Sequence, residues 1–227
     1  MELEIKNTND ISPTKLNLLL IAPPGYGKTT AAKTLPGKTL VVDAESGLLP
    51  LRGAGVDYVS IEGKTELEKF KNFRSLLGLI AASDYDNIFL DSITEIASYF
   101  LAEAESVYPE AKNTQQRFGH FKKTFQSFLK YTRDLDKNII YSALDKVEKD
   151  EVGTRYHYPN IVGSLAQEAS ALFDFVFHII IVKDSEGNEK RALLTKATDG
   201  YKCKDRSDKL SKLEPVDLAH IIKKAFN

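Results

Sequence analysis

Ala22-Pro23-Pro24-Gly25-Tyr26-Gly27-Lys28-Thr29-Thr30 (APPGYGKTT) follows the apolar run Leu16 to Ile21, LNLLLI, and leads into Thr29 to Leu35, a segment suited to a helix. Strand, glycine loop and helix in this order make the cradle that wraps the phosphates of a nucleoside triphosphate. Small residues let backbone N–H groups crowd the phosphates, so Pro24, Gly25, Tyr26, Gly27, Lys28, Thr29 and Thr30 are the candidate nucleotide-binding residues. Lys28 is expected to reach the β- and γ-phosphates, and the Thr29 hydroxyl to ligate Mg²⁺. The first position, most often glycine, is Ala22 here, which still leaves room for the turn. No N-K-x-D run accompanies the loop, which favours ATP over GTP as the cofactor.

Outward from this loop, short apolar strands alternate with amphipathic helices. Pro36 and Gly37 end the first helix, and Thr39 to Val42 (TLVV) is a buried strand stopping at Asp43. Tyr58 to Ile61 is a third strand. Thr65 and Glu68 stand at capping-box spacing before a helix that aligns Leu67, Phe70, Phe73, Leu77 and Ile80. Asn87 to Leu90 (NIFL) forms a strand ending at Asp91, and helices follow over Ile93 to Val107 and Thr114 to Asp136. The second of these repeats Phe118, Phe121, Phe125, Phe128 and Leu135 at steps of three and four, a core-facing stripe. Asn138 to Ala143 is a further strand. Phe173 to Val182 and Lys190 to Thr195 flank the turn Ser185 to Asn188 as an antiparallel hairpin, and a last helix is expected to begin at Pro215.

The pattern implies an α/β fold with a mainly parallel twisted sheet flanked by helices and a C-terminal antiparallel hairpin. Ligands of such sheets gather at the C-terminal strand ends, where the phosphate loop, Asp43, Asp91 and Ala143 all fall. Asp91 has the position of a Walker-B aspartate on the strand neighbouring the phosphate loop, and is the second candidate for Mg²⁺. Ser92 and Glu95 have the spacing of a capping box on the next helix. Hydrolysis also needs a group that orients or deprotonates the attacking water. Glu45, in VVDAE, is so placed; its spacing alone fits a solvated loop acid equally well.

Composition sets bounds. The 227 residues suit one domain, read as an N-terminal arm at 1–14 and a nucleotide-binding domain at 15–227. With 31 basic and 32 acidic residues the formal net charge is −1, so no global cationic field advertises nucleic acid and any contact with it is local. Cys203 is the lone cysteine, which excludes an intrachain disulfide. The most hydrophobic run, Ala171 to Val182, is interrupted by Asp174 and His178 and is too short to span a bilayer, and the N-terminus has no leader pattern. A cytoplasmic protein with no membrane partner is expected.

LLLIAPPGYGKTTAAKTLPGKTLVVDAE (Leu18 to Glu45), NIFLDS (Asn87 to Ser92) and TKATDGYKCKDR (Thr195 to Arg206) resemble the RecA-related ATPases of bacteriophages, a group of AAA-type nucleotide-binding proteins placed with the Sak-type single-strand-annealing recombination proteins. The resemblance implies a RecA-like P-loop core and an ATPase stimulated by single-stranded DNA. It also implies homo-oligomeric filaments or rings, phage or host recombination proteins as further partners, and a bacterial host cytoplasm as the setting. It assigns Glu45 to activating the attacking water. It assigns Lys204 and Arg206, in the KDR run, to completing a neighbouring protomer's catalytic site, although their spacing also fits a solvated cationic hairpin end. RecA proper carries Gln, and phage relatives often His, just past the strand at Asn138 to Ala143; Ser142, Leu144 and Asp145 stand there instead, so the nucleotide-sensing residue has no evident counterpart.

Relatives of this kind hold single-stranded DNA on loops at a central axis. Two segments fall there: Ser106 to Gly119, with Arg117, and Asp145 to Ser164, with the run Arg155, Tyr156, His157, Tyr158. Basic and aromatic residues together suit unpaired strands, through stacking and phosphate contact. Arg117, Arg155, Tyr156 and Tyr158 are therefore the DNA-binding candidates. Gly153 could equally be a hairpin turn, with Arg155 and His157 on one face and the two tyrosines on the other.

Overall fold

A computed structural model describes residues 7, 15–110, 112, 114–198 and 200–227. The expected arm at 1–14 lies outside the described residues apart from Asn7. β1 (Asn17–Ala22), β2 (Thr39–Asp43), β3 (Asp57–Ser60), β4 (Asn87–Asp91), β5 (Asn138–Lys149) and β7 (Phe175–Lys183) form the parallel part of the sheet. β8 (Glu189–Leu194) adds to β7 antiparallel, and β10 (Leu213–Glu214) adds to β8. Among the described residues the sheet runs β10-β8-β7-β1-β5-β4-β2-β3, with β6 (Arg155–Pro159) on β5 and β9 (Lys204–Asp205) on β7. The architecture is thus a mainly parallel, mixed sheet with a C-terminal antiparallel hairpin.

Both faces are covered, and alternation along β1 shows how. Leu19 and Ile21 join a core with α1 (Glu66–Ala82), α2 (Ile93–Val107), α3 (Thr114–Arg133) and the first residue of α4 (Leu165–Glu168). Leu18, Leu20 and Ala22 join a second core with the 3-10 helix Thr29–Thr34 and α5 (Leu218–Phe226) on the other face. Period-two projection of a fully buried strand produces this division. Phe100 knits the first core, lying 5.0 Å from the Phe70 ring and 5.3 Å from that of Phe125, both edge-on. At the N-terminal strand ends, buried Asn138 accepts from the Leu16 N–H at 2.8 Å and donates to Asn87 at 2.8 Å, tying β1, β5 and β4 in register.

Several expectations need correction. β5 lies between β1 and β4, so the Asp91 strand is the second neighbour of the phosphate-loop strand, not the first. β5 also does not stop at Ala143. It continues to Lys149 because β6 pairs with its polar second half, from Asp145 opposite Pro159 to Lys149 opposite Arg155. The helix after the phosphate loop is a short 3-10 helix; Leu35, held extended at ψ 136 ahead of Pro36, closes it after six residues. In α1 the Thr65 hydroxyl accepts from the Glu68 N–H at 3.2 Å, while Glu68 accepts from the Lys64 N–H, one residue before the box position. α3 ends at Arg133, and Phe118, near its start, is exposed beside the buried Phe121, Phe125 and Phe128. α5 begins at Leu218, three residues after Pro215, because the Asp217 side chain caps it by accepting from the His220 N–H at 3.0 Å. No helix among the described residues is long and apolar enough to cross a membrane.

Candidate nucleotide site

The parallel register carries Asp43 of β2 directly opposite Asp91 of β4, and β1 releases the chain into the loop two strands away. Gly25 and Gly27 take φ of 79° and 91°, a left-handed backbone that glycine adopts without steric cost, and the loop turns there. Thr29, at the start of the 3-10 helix, donates its hydroxyl to the Asp91 carboxylate at 2.6 Å. The other Asp91 oxygen accepts from Ser142 of β5, the intervening strand. The residues proposed for a divalent cation, 62 positions apart in sequence, therefore meet. A hydroxyl and a carboxylate are the oxygen donors that Mg²⁺ takes, so this pair fits that ion.

Lys28 is only 6 % exposed, and its Nζ donates to the carbonyls of Ala22 at 3.0 Å and Pro23 at 3.2 Å. Burial pulls its pKa below the ordinary lysine value, against the opposing charges of Glu45, Asp91 and Asp145. Asp91 is 1 % exposed, and burial raises its carboxyl; hydrogen bonds from Ser142 and Thr29 and the Lys28 charge act the other way. A cation and carboxylates held this close in a partly dry site interact far more strongly than in water. Ser92 spends its hydroxyl on Glu45 Oε1 and makes no side-chain cap on α2, in place of the expected Ser92–Glu95 box. That bond fixes the Glu45 carboxylate beside the strand ends.

Pro24, Gly25, Gly27, Lys28, Thr29, Thr30 and Glu45 line one cavity of about 400 Å³, together with Gly47, Pro50, Leu144 and Arg191. Tyr26, the remaining phosphate-loop candidate, points instead into a neighbouring cavity and packs against the second core. Arg191 was not anticipated, since within GNEKRALL it reads as an ordinary outward-facing strand residue. A larger hollow of about 560 Å³ lies between α1 and α3, away from these strand ends, around Arg74, His120 and Tyr131. It contains none of the candidate residues.

Lys204 and Arg206 stand elsewhere. β9 sets Asp205 opposite Phe175, the first residue of β7, which is level with Leu18 of β1, so both basic residues lie toward the N-terminal strand ends. Lys204 donates to the Phe173 carbonyl at 2.6 Å, and Arg206 pairs with Asp174. Neither belongs to the phosphate-loop cavity of its own chain. The two segments expected to contact DNA are less loop-like than the sequence suggests. Arg117 lies in α3 and donates from Nη2 to the Tyr108 carbonyl at 3.0 Å, fastening α3 to the end of α2. Asp145 to Pro159 is a hairpin turning through Asp150 to Thr154. Arg155 is exposed near its tip, while Tyr156 and buried Tyr158 stack on one face with ring centroids 6.5 Å apart.

The neighbouring cavity, about 300 Å³, includes Pro23, Asp145, His157, His178 and Tyr201. His157 Nδ1 meets Asp145 at 2.6 Å and its ring stacks on Tyr201 at 3.9 Å. His178 is 2 % exposed; burial first, and then nearby His157, push its imidazole down to about 3, against a hydrogen bond with the Lys202 backbone. An unfolded histidine titrates near pH 6.5, so between about pH 6.5 and 3 the unfolded chain holds the extra proton. Stability from this group is present above 6.5 and lost as pH falls, by about 1.4 kcal/mol per pH unit. Urea unfolding midpoints are expected to drop from pH 7 to pH 5, and the drop to be shallower in His178→Asn.

A profile of the family described as AAA domain matches residues 14–207. Among solved structures, a prototypical ATPase from the type III secretion system of pathogenic bacteria is similar at 16% identity with a TM-score of 0.47, covering 73% of this chain and 51% of that one. This chain thus spans about half the length of that ATPase. No curated protein matches.

Proposed function

The chain belongs to the AAA domain family, a nucleotide-binding P-loop family, and on that footing we propose that it is an Mg²⁺-dependent ATPase of DNA recombination whose turnover is raised by single-stranded DNA. The observation that carries the ATPase part is the convergence of Lys28, Thr29 and Glu45 on one cavity, with the Thr29–Asp91 contact beside it. Backbone N–H groups of Gly25 to Thr30 and the Lys28 ammonium hold the triphosphate. Thr29 and Asp91 hold Mg²⁺, which when bound neutralises charge on the β- and γ-phosphates. Glu45, anchored by Ser92, accepts a proton from the attacking water.

The DNA and recombination parts rest on the resemblance to phage RecA-related proteins and on the β5–β6 hairpin. That hairpin rises past the end of β1, whose Ala22 pairs with Leu144, and carries the exposed Arg155 opposite Lys149, near its tip. Protomers assemble into filaments or rings, in which Lys204 and Arg206 act on a neighbour's nucleotide. Phage or host recombination proteins are the further partners of this reading, and the bacterial cytoplasm its setting.

The test is ATP hydrolysis with and without a single-stranded oligonucleotide, run beside light scattering. Single strands are expected to raise the rate, and added salt to weaken that response as phosphate contacts are screened. A rate indifferent to DNA across the salt series removes the recombination role. Should light scattering then show ATP-driven assembly that ignores DNA, the protein is a nucleotide-gated scaffold with little turnover.

A further inference from the structure

Arg191 sits in β8 opposite Ile181, three residues past His178, the last β7 residue to pair with β1. At about 3.3 Å per residue, that overhang carries the arginine about 10 Å beyond Ile21, the β1 residue paired with His178, and over the phosphate loop. There its Nη2 donates to the Gly25 carbonyl at 3.0 Å, and a Cβ placed on Gly27 would come within 2.9 Å of Nη1. The guanidinium thus covers both left-handed glycines of the loop and lines the cavity shared by Lys28, Thr29 and Glu45.

Three cations that follow it in the chain, Lys196, Lys204 and Arg206, are engaged. Lys196 pairs with Asp205 and Asp208, Arg206 with Asp174, and Lys204 with a backbone carbonyl. Arg191 forms no ion pair among the described residues, and its one hydrogen bond goes to a neutral carbonyl. A guanidinium has five donors in a planar fork that matches two phosphate oxygens, and a bond to an anion is about twice as strong as one to a carbonyl.

We propose that Arg191 is a phosphate-contacting residue of the nucleotide site, supplied by the same chain from the β7–β8 hairpin, that grips the β- and γ-phosphate oxygens opposite Lys28. This rests on the ATP-binding reading and adds a cation that the loop motif does not contain. It also separates the two halves of the charge supply: Arg191 acts within the protomer, whereas Lys204 and Arg206 lie toward the other edge of the sheet. Because Arg191 hangs on a hairpin, a triphosphate held by it ties that hairpin to the loop.

The test compares the wild-type chain with Arg191→Ala and Arg191→Lys, measuring binding of ATP, ADP and adenosine by calorimetry and amide exchange over residues 184–191. Arg191→Ala is expected to weaken ATP binding roughly ten- to a hundredfold, as for a lost charged hydrogen bond, with a smaller loss for ADP and none for adenosine. Arg191→Lys recovers part of the loss. ATP slows exchange over the hairpin in the wild type but not in Arg191→Ala. The unliganded melting temperatures agree, because the side chain is exposed. Wild-type affinity for ATP in Arg191→Ala overturns the proposal while leaving the ATPase reading intact; a wild-type chain that binds no ATP overturns both.

Discussion

Lys28→Ala is expected to reduce ATP hydrolysis by at least about 10³-fold, the scale on which removal of a preorganised charge contact from a transition state is felt. The ammonium is nearly buried between the loop carbonyls of Ala22 and Pro23 and lines the cavity bounded by Glu45. Among the described residues no other lysine lines that cavity. The substitution removes the cation proposed to meet the β- and γ-phosphates and also the positive charge that acts on buried Asp91. Phosphate release should fall to background, and ATP affinity should fall with it. A Lys28→Ala protein that keeps a tenth of the wild-type rate would show that hydrolysis occurs somewhere other than this loop.

Glu45→Gln is expected to separate binding from chemistry. The amide has the shape of the carboxylate and can still accept from Ser92, so the cavity wall keeps its form. It cannot take a proton from water. Loss of a general base costs about 10²- to 10⁴-fold in turnover. ATP affinity should stay within a fewfold of wild type, giving a protein that fills with ATP and turns over slowly. Equal single-turnover rates for Glu45→Gln and wild type would return Glu45 to the role of an ordinary loop acid.

The parts of the fold legible in the sequence are those written in local pattern. β1, the loop and β2 could be bounded to within about a residue because buried parallel strands are continuous apolar runs and the loop is punctuated by glycine and proline. The meeting of Thr29 with Asp91 followed from the rule that parallel strands share one C-terminal edge. What escaped was non-local. Strand order leaves no trace in periodicity, so β5 between β1 and β4 could not be seen. The expected end of β5 at Ala143 lies next to the switch to charged residues that begins at Asp145. Its polar half is a strand only because β6 supplies the missing partner.

Arg191 was hidden for the same reason. In EKRALL it obeys the alternation of an edge hairpin, and only the overhang of β8 past β1 brings it to the loop. Arg117 shows the reverse case: a basic residue near aromatic neighbours resembled a DNA contact, yet it is spent on the Tyr108 carbonyl. Composition identifies cations, and tertiary structure decides which of them remain available.

β5 runs without interruption from Asn138, among the central strands, to Lys149 beside the hairpin turn. Ser142 holds Asp91 from this strand, and seven residues later, about 23 Å away, the same backbone reaches the tip. The aspartate's partner and the hairpin end thus belong to one unbroken strand, whose neighbours change from β1 and β4 to β6 after Leu144. A variant at Ser142 and a variant at the hairpin tip therefore alter two ends of the same stretch of backbone.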